Sequence, residues 1–367
     1  MVAMNDRALA RATLARQYLM ERADVTALEA VSHLAGLQAQ APVPPYLALW
    51  ARLKNFAAED LSTLIENRHV VRLVAMRGTV FALSVADAAT FRGTVQSIME
   101  RDLHTNTAHR AALTGMDFEA LAQAGRELVS EGPLTQMQMR PLLADCFPDR
   151  APEGLAHAVR GLLPMVQVPP RGLWGRSGAP ALTTLEDWLG TEVDLTPRPD
   201  ALVLRYLAAF GPASVKDAQA WSGLTRLGEV FERLRSSLIT FKNENGTELF
   251  DLPDAPRPDS GTPPVRILAP FDNILLSHAD RSRILDKQYR SQVFTVNGII
   301  KPAVLVRGQV AGFATVSTTG ESAWLAVTLF AQQSKTVIAA IEREGRSLLK
   351  FLHPAISARD VSLDRLT

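Results

Sequence analysis

Two short stretches, Glu131-Gly-Pro-Leu-Thr135 and Phe210-Gly-Pro-Ala-Ser214, decide how this sequence folds. Each follows an amphipathic segment typical of a helix, residues 118–131 in the first case and 200–210 in the second. In both stretches Gly-Pro predicts the end of that helix, and Thr135 or Ser214 is suited to cap the next one. The two stretches therefore indicate an internal repeat.

Each stretch is followed by two further helical segments, 136–146 and 152–163 in the first copy and 215–221 and 224–236 in the second. A hairpin pattern then closes each copy, formed by 165–168 with 172–174 and by 238–241 with 248–250. Three helices and a hairpin are the pattern of a winged helix. Because two matching helix ends form only a short repeat, two unrelated helix–hairpin units remain the alternative.

The rest of the chain extends this reading. Residues 1–112 are predicted to hold a third copy, in which the bent apolar stretch 70–83 serves as the wing. A proline-rich segment at 252–264 reads as a linker, and β-rich runs follow at 265–269, 274–277, 294–300, 303–306, 310–316 and 323–329, before a helix at 334–352. The predicted fold class is α+β. It comprises three tandem winged-helix domains (1–112, 113–197, 198–258) and a C-terminal domain (259–367) with a small sheet or barrel, a hairpin turning at Arg307-Gly308 and a closing helix.

Composition limits the class of protein. The chain has 367 residues, of which 47% are hydrophobic, and a formal net charge of +1. Cys146 is the single cysteine, which excludes an internal disulfide and a cysteine-based zinc site. No apolar run approaches the roughly 18 residues of a membrane span, and the N-terminus shows no secretory pattern. We therefore expect a cytoplasmic, nucleoid-associated protein with no membrane partner.

Charge is unevenly distributed. Between Arg266 and Arg307 there are seven basic residues against three aspartates. Such a segment is typical of a surface that contacts nucleic acid. Common catalytic motifs are absent, the seven histidines never occur as an i, i+4 pair, and we expect neither a metal nor a cofactor.

Gln38 has an unusual position. Residues 26–38 predict a helix whose apolar stripe includes Leu28, Val31 and Leu34, and Gln38 falls on the same stripe. A buried glutamine needs hydrogen-bond partners, or it costs about 1–3 kcal/mol. Gln40 lies at the predicted helix exit, close to Gln38. Two converging amides can hold a water molecule, whereas a glutamine at a helix end is more commonly solvated or capping.

Four stretches resemble the AlkZ-like bacterial winged-helix DNA glycosylases. They are His33-Leu-Ala-Gly-Leu-Gln-Ala-Gln-Ala-Pro-Val-Pro-Pro-Tyr-Leu-Ala-Leu-Trp-Ala-Arg52, Ala75-Met-Arg-Gly-Thr-Val-Phe81, Leu268-Ala-Pro-Phe-Asp-Asn-Ile-Leu-Leu-Ser-His-Ala-Asp-Arg-Ser-Arg283 and Asn297-Gly-Ile-Ile-Lys-Pro-Ala-Val-Leu-Val-Arg-Gly308. They are spread over nearly the whole chain and follow the family's order. The sister YcaQ-like branch has Asp at the second motif position, so Gln40 places this chain on the AlkZ-like side.

The resemblance implies an activity and its residues. It assigns Gln38 and Gln40 to positioning the water that hydrolyses an N-glycosidic bond. Neutral amides orient water but are not strong bases. The expected substrates are therefore cationic N7-alkylpurines, including bulky or crosslinked natural-product adducts, whose bond is already activated. Since no lysine lies in the glutamine segment, we expect a monofunctional glycosylase serving DNA repair or self-resistance.

The basic segment is the expected DNA contact. Arg281, Arg283, Lys301, the hairpin tip Arg307 and His278 are its candidates, and Arg77 is a further one. The alternative for Arg281 and Arg283 is structural ion pairing with Asp280 and Asp286. The expected partner is double-stranded DNA carrying alkylated purines, bound by a monomer. A winged-helix transcriptional regulator without catalytic activity is the competing hypothesis, although residues 224–236 combine arginines with glutamates and suit base reading poorly.

Overall fold

The computed structural model describes residues 2–366. Its α-helices are α1 (Asp6–Arg16), α2 (Ala27–His33), α3 (Pro44–Arg52), α4 (Ala58–Glu66), α5 (Val85–Thr94), α6 (Gln96–Thr105), α7 (Arg110–Leu113), α8 (Phe118–Ser130), α9 (Gln136–Cys146), α10 (Pro152–Leu162), α11 (Leu185–Leu189), α12 (Pro199–Phe210), α13 (Val215–Ser222), α14 (Gly228–Leu234), α15 (Arg290–Val293) and α16 (Lys335–Leu352). Its strands are β1 (Val2–Met4), β2 (Leu37–Gln38), β3 (Val70–Val74), β4 (Val80–Ser84), β5 (Leu134–Thr135), β6 (Met165–Gln167), β7 (Ala181–Thr184), β8 (Ile239–Asn243), β9 (Glu248–Asp251), β10 (Arg266–Ile267), β11 (Ala303–Val306), β12 (Gln309–Thr319), β13 (Ser322–Leu329) and β14 (Ala358–Arg365). The predicted α+β class is confirmed.

Both Gly-Pro stretches begin a new helix as predicted. The Thr135 side chain accepts a hydrogen bond from Gln138 N, and the Gln138 side chain accepts one from Thr135 N in return. Ser214 and Asp217 form the same reciprocal pair at the start of α13. Each such capping box satisfies backbone donors that the first helical turn leaves free, so the two boundaries are specified locally.

A six-stranded sheet joins the N-terminal hairpin to the second one, in the order β2-β4-β3-β6-β7-β5. The predicted partner of 165–168 was wrong, because β6 pairs with β7 and not with residues 172–174. Those residues pack on the N-terminal helices instead: the Gly172 carbonyl accepts from the Tyr46 hydroxyl at 2.7 Å, and Trp174 N donates to Ser62 Oγ at 3.1 Å.

The other two hairpins form where predicted. β8 and β9 pair in antiparallel register, and β1 adds in parallel to β8. In the C-terminal sheet, of order β10-β11-β12-β13-β14, the β11–β12 turn is at Arg307-Gly308, both with positive φ. Two predicted strands are wrong. Residues 274–277 lie largely in a 3-10 turn, Asn273–Leu275, and 294–300 forms a turn closed by a single Phe294–Ile300 bridge.

Two hydrophobic cores hold the described residues. A small one, around Leu121, Met139, Leu143 and Val159, belongs to α6–α10 and β7. A larger one runs continuously through the N-terminal helices, α12–α14 and the C-terminal sheet. Buried ion pairs cross the larger core. Both Asp251 oxygens accept from Arg16, at 2.7 and 2.8 Å, and both Asp272 oxygens accept from Arg52, at 2.7 Å each.

Candidate active site and nucleic-acid interface

Gln38 lies on a strand, which corrects the predicted helix over 26–38. α2 begins with a Thr26–Glu29 capping box and ends at His33, because Ala35 and Gly36 both adopt positive φ (55° and 85°) and turn the chain. A Cβ on Gly36 would lie 2.2 Å from Leu83 Cδ2, so the turn needs glycine. The chain then enters β2, where Gln38 pairs with Phe81 of β4.

The Gln38 amide is held in place by Arg77. Arg77 Nη2 donates to Gln38 Oε1 at 2.8 Å, and its Nη1 donates to the Trp221 carbonyl. The Arg77 guanidinium also lies over the Phe81 ring, 5.3 Å from the centroid. Gln38 is only 9% exposed, and its amide nitrogen has no hydrogen-bond partner among residues 2–366. The carbonyl oxygen keeps one acceptor position free, because it has two lone pairs.

Gln40 is exposed beside Gln38 and contacts the same hairpin. Its Oε1 accepts from Val80 N at 3.1 Å, while Ala39 N donates to the Val80 carbonyl at 2.7 Å. The β3–β4 hairpin therefore fixes both amides, one through the Arg77 side chain and one through backbone. Gln38 and Gln40 lie on neighbouring positions of one segment as predicted, and the contact of Arg77 with Gln38 was not predicted.

Arg77 sits in a strained, half-buried turn. It has φ 56° and is followed by Gly78 at φ 70°. Burial and the nearby Arg281 charge lower the pKa of Arg77 to about 10, so it stays protonated at neutral pH. A fixed cation therefore lies behind Gln38. It polarises the amide and repels other cations from that side.

Two predicted DNA-contacting cations, Arg281 and Lys301, lie over aromatic rings. The Arg281 guanidinium lies 4.9 Å from the Phe294 centroid, and Lys301 Nζ lies 3.7 Å from that of Phe313. The alternative of ion pairing is not what the structure shows: Asp280 pairs with Lys287 at 3.7 Å, and Asp286 accepts from Gln288 N at 3.0 Å. Arg281 and Lys301 are both half-buried, and their side chains keep hydrogen-bonding capacity for a ligand.

His278 and Arg283 are interior, which corrects their prediction as DNA contacts. His278 is 1% exposed: its Nε2 donates to the Phe210 carbonyl at 3.1 Å, and Nδ1 accepts from Ser277 Oγ at 2.9 Å. Arg283 Nη1 donates to the Pro212 carbonyl at 2.9 Å. Both side chains tie the segment 278–283 to the second Gly-Pro stretch. A count of basic residues along the sequence cannot distinguish side chains that bind interior carbonyls from side chains that lie on the surface.

The buried His278 predicts a pH dependence of stability. Burial and the adjacent Arg283 lower the pKa of His278 to about 3, against about 6.5 in the unfolded chain. Between pH 6.5 and pH 3, His278 is protonated in the unfolded chain but neutral in the folded one. Stability is therefore lost as pH falls through that window. We expect His278→Gln to flatten the fall in unfolding free energy between pH 6.5 and 4, measured by urea denaturation. A fall as steep as that of the wild type would contradict this role.

Arg307 lies apart from the glutamines. It is exposed at the β11–β12 turn, and it lines a different depression together with Arg7, Arg11, Lys287 and Asp280. That depression has mixed charge. The structure thus separates the hairpin tip from the group formed by Gln38, Gln40, Arg77 and Arg281.

Sequence reasoning missed two features of the site. The turn at 295–299 carries a fully exposed Val296 (104%) and a half-exposed Ile299 (49%), next to the Phe294 ring that Arg281 covers. The strand pattern of 294–300 hid this turn, although Asn297-Gly298 was a turn signal. The second feature is the loop 269–273, which lines a small cavity under Gln38 together with Arg52. Asn273 Nδ2 donates to the Gly36 carbonyl at 3.0 Å and so holds the turn before β2.

This scaffold and its paired amides define a class of protein. The sequence model of the family described as "DNA glycosylase AlkZ-like" matches residues 31–351. The chain belongs to the AlkZ-like DNA glycosylase family and is an enzyme of that class, which confirms the family predicted from the motifs.

Two comparisons with proteins of Streptomyces sahachiroi agree. The chain is 24% identical to an interstrand DNA cross-link repair glycosylase over 353 residues, which are 90% of this chain and 91% of that protein. The solved structure of the DNA glycosylase AlkZ superposes with a TM-score of 0.82 at 20% identity, covering 99% of this chain and 100% of that chain. The second comparison shows the shared fold. Within residues 2–366, none of the helices has the length and apolarity required to cross a membrane.

Proposed function

We propose that this enzyme is a monofunctional glycosylase that hydrolyses the N-glycosidic bond of cationic N7-alkylpurines in double-stranded DNA. Its proposed substrates include bulky and crosslinked adducts, in line with the name of the Streptomyces sahachiroi relative. The observation that carries the proposal is the pair of amides, Gln38 and Gln40, each with its carbonyl oxygen fixed by the β3–β4 hairpin. A rigid pair of acceptors can hold one water molecule in a reactive position.

The chemistry requires little more than that water. Its oxygen attacks C1′ of the sugar, and the C1′–N9 bond breaks. The electron pair leaves with the base, which becomes a neutral N7-alkylpurine, and the proton of the water passes to solvent. Asp272, the carboxylate that lines the cavity under Gln38, is not available as a base, because Arg52 occupies both of its oxygens. Neutral amides alone suit a substrate whose leaving group is already cationic.

The monofunctional assignment follows from lysine placement. A lyase step needs an amine that attacks C1′. Lys54 is the lysine nearest in sequence to the glutamines, and its Nζ lies 3.5 Å from a carboxylate oxygen of Glu21, just beyond the end of α3. The reaction should therefore stop at an abasic site.

For DNA contacts we propose Arg77 and Arg281 beside the glutamines, with Lys301 and Arg307 as further phosphate contacts. The turn 295–299 would insert Val296 between base pairs beside the lesion, as apolar wedges of DNA-bending proteins do. We further propose three winged-helix units at 1–112, 113–197 and 198–258, a C-terminal domain at 259–367, a monomeric state and a location at the nucleoid.

The test of the function is release of the modified base. The protein is incubated with a duplex containing a single N7-methylguanine, and free base and an alkali-labile site are measured. Release of both supports the proposal, whereas tight sequence-specific binding without release would indicate a regulator. The α14 region gives the regulator no support, because Arg233 pairs with Asp200, and Arg235 pairs with Glu232 and Glu248.

Replacing Val296 and Ile299 together by serine should slow excision from a duplex about tenfold, because unstacking the lesion costs a few kcal/mol that the wedge offsets. Excision from a lesion opposite a gap should change much less, since that base is already unstacked. Met137→Ser, an exposed apolar residue on α9, serves as the control. Equal slowing on both substrates would exclude a wedge.

A further inference from the structure

A second cavity, of about 340 Å³, lies beside the hairpin turn that holds Gln38. Arg77 and Gly78 of that turn form one wall, and side chains of α6 and α10 form the others. The C-terminal end of α13 contacts two of the residues that line this cavity. Arg77 donates to the Trp221 carbonyl, and Arg101 Nη2 donates to the Gly223 carbonyl at 3.1 Å. The cavity thus lies where the β3–β4 hairpin, α6 and α10 meet.

The charge of this cavity is positive. Three arginines line it, Arg77, Arg101 and Arg160, and the acidic residue that lines it is Asp102. His157 Nε2 donates to Asp102 Oδ2 at 2.6 Å, so that carboxylate already has a partner. The described residues thus present a surplus of cations here.

Arg160 lacks a partner within this cavity. It is half-buried on α10, and among residues 2–366 its guanidinium has neither a hydrogen bond nor an ion pair. Burial lowers the pKa of Arg160. The carboxylate charge that acts on Arg160 is that of Asp102, to which His157 already donates. Arg160 is thus a partly buried cation with no direct partner among residues 2–366, and an incoming anion would offset the cost of burying it.

The remaining lining is apolar, from Val74, Ile98 and Met99. The volume is several times that of a phosphate group, and a mixed wall of guanidiniums and hydrocarbon matches a phosphate together with its deoxyribose. Arg77 connects this space to the catalytic amides, because its Nη2 is bonded to Gln38 Oε1. An anion placed here would therefore fix the distance between the DNA backbone and Gln38.

We propose that this cavity binds one phosphodiester of the lesion-bearing DNA strand, with Arg160 as the principal ligand and Arg77 as the link to Gln38. The proposal rests on the proposed function, since it takes DNA as the ligand. As a consequence, the DNA backbone is bound next to the site of base release, and this contact positions the lesion relative to Gln38.

The test uses a duplex with N7-methylguanine on a fluorinated sugar that resists cleavage, and single neutral methylphosphonates at successive linkages. For the wild type, we expect one linkage near the lesion at which the methylphosphonate weakens binding about tenfold. Arg160→Gln should weaken binding similarly, lose the effect of that methylphosphonate, and lower the salt slope of log K by about one. Arg126→Gln, which removes an exposed charge on α8, is the matched control.

Arg160→Gln behaving like Arg126→Gln, with every methylphosphonate as costly as in the wild type, would overturn the proposal. So would a loss confined to duplexes with bulky adducts, which would make the cavity a pocket for the adduct. Arg101→Gln repeats the test on an exposed member of the cavity should Arg160→Gln fail to fold. Failure of the proposed function is distinct: it would appear as absent base release from a cleavable duplex, with the methylphosphonate effect intact.

Discussion

Gln38→Ala is expected to slow single-turnover release of N7-methylguanine by about two to three orders of magnitude, the usual loss when one preorganised group at a reacting centre is removed. The reason is geometric. Gln38 Oε1 is fixed by Arg77 at 2.8 Å, and truncation leaves both the water and the guanidinium without their partner. Affinity for the same DNA should change little, since Gln38 is 9% exposed and offers almost no surface to the duplex.

The pair of glutamines permits a stricter test. If Gln38 and Gln40 hold one water molecule, the double variant should lose about as much as the worse single variant, because groups that act as a unit are not additive. Gln123→Ala, an exposed glutamine on α8, controls for the loss of an amide elsewhere. A Gln38→Ala rate within twofold of the wild type would remove Gln38 from the reaction. Multiplying losses in the double variant would mean that the two amides act on different steps.

The parts of the fold that sequence predicted are those specified by local chemistry. The starts of α9 and α13 follow from Thr135 and Ser214, whose capping boxes involve residues three positions away. The turn at Arg307-Gly308 is likewise local. The helix over 26–38 failed because the periodic pattern continued through Ala35 and Gly36, although a glycine after the last helical turn is a stop signal.

Other errors came from long-range partners. Gly172–Trp174 has the apolar content of a strand, but it packs against Tyr46 and Phe351, which are more than 100 residues away in sequence. Arg283 looks like a surface cation until Pro212 is known to lie against it. β14 was missed because charged residues at Arg359, Asp360 and Asp364 obscure its alternation, and its partner β13 lies across the α16 crossover.

The residues of the site divide in the same way, into those that the local sequence indicates and those that depend on long-range partners. Gln38 and Gln40 were assigned through the resemblance to the AlkZ-like family. The helical stripe that also drew notice to Gln38 is not formed, because Gln38 lies on β2. The partner of Gln38, Arg77, was proposed only as a DNA contact, since pairing across β2 and β4 decides that contact. The cavity at Arg160 could not be foreseen, because its walls come from three separate parts of the chain.

Asp272→Asn should lower the free energy of unfolding by about 3–5 kcal/mol, the usual cost of leaving one member of a buried ion pair unpaired. Asp272 is 1% exposed and Arg52 is 2% exposed, and they are joined by two hydrogen bonds of 2.7 Å. Asparagine keeps the size of the side chain and can still accept from Ile274 N at the start of the 3-10 turn. The loss would therefore report the stranded charge of Arg52, measured as the shift in urea midpoint at constant slope.

The double variant Arg52→Met, Asp272→Asn separates that charge from the rest of the contact. With no cation left at position 52, we expect it to recover at least half of the loss, since apolar replacements of buried ion pairs are often neutral. Glu229→Gln, which breaks the exposed pair with Arg226, should leave the midpoint unchanged. A double variant as unstable as Asp272→Asn would place the cost in the Asp272 loop itself. The same loop holds Gly36 through Asn273 and so supports the strand that carries Gln38.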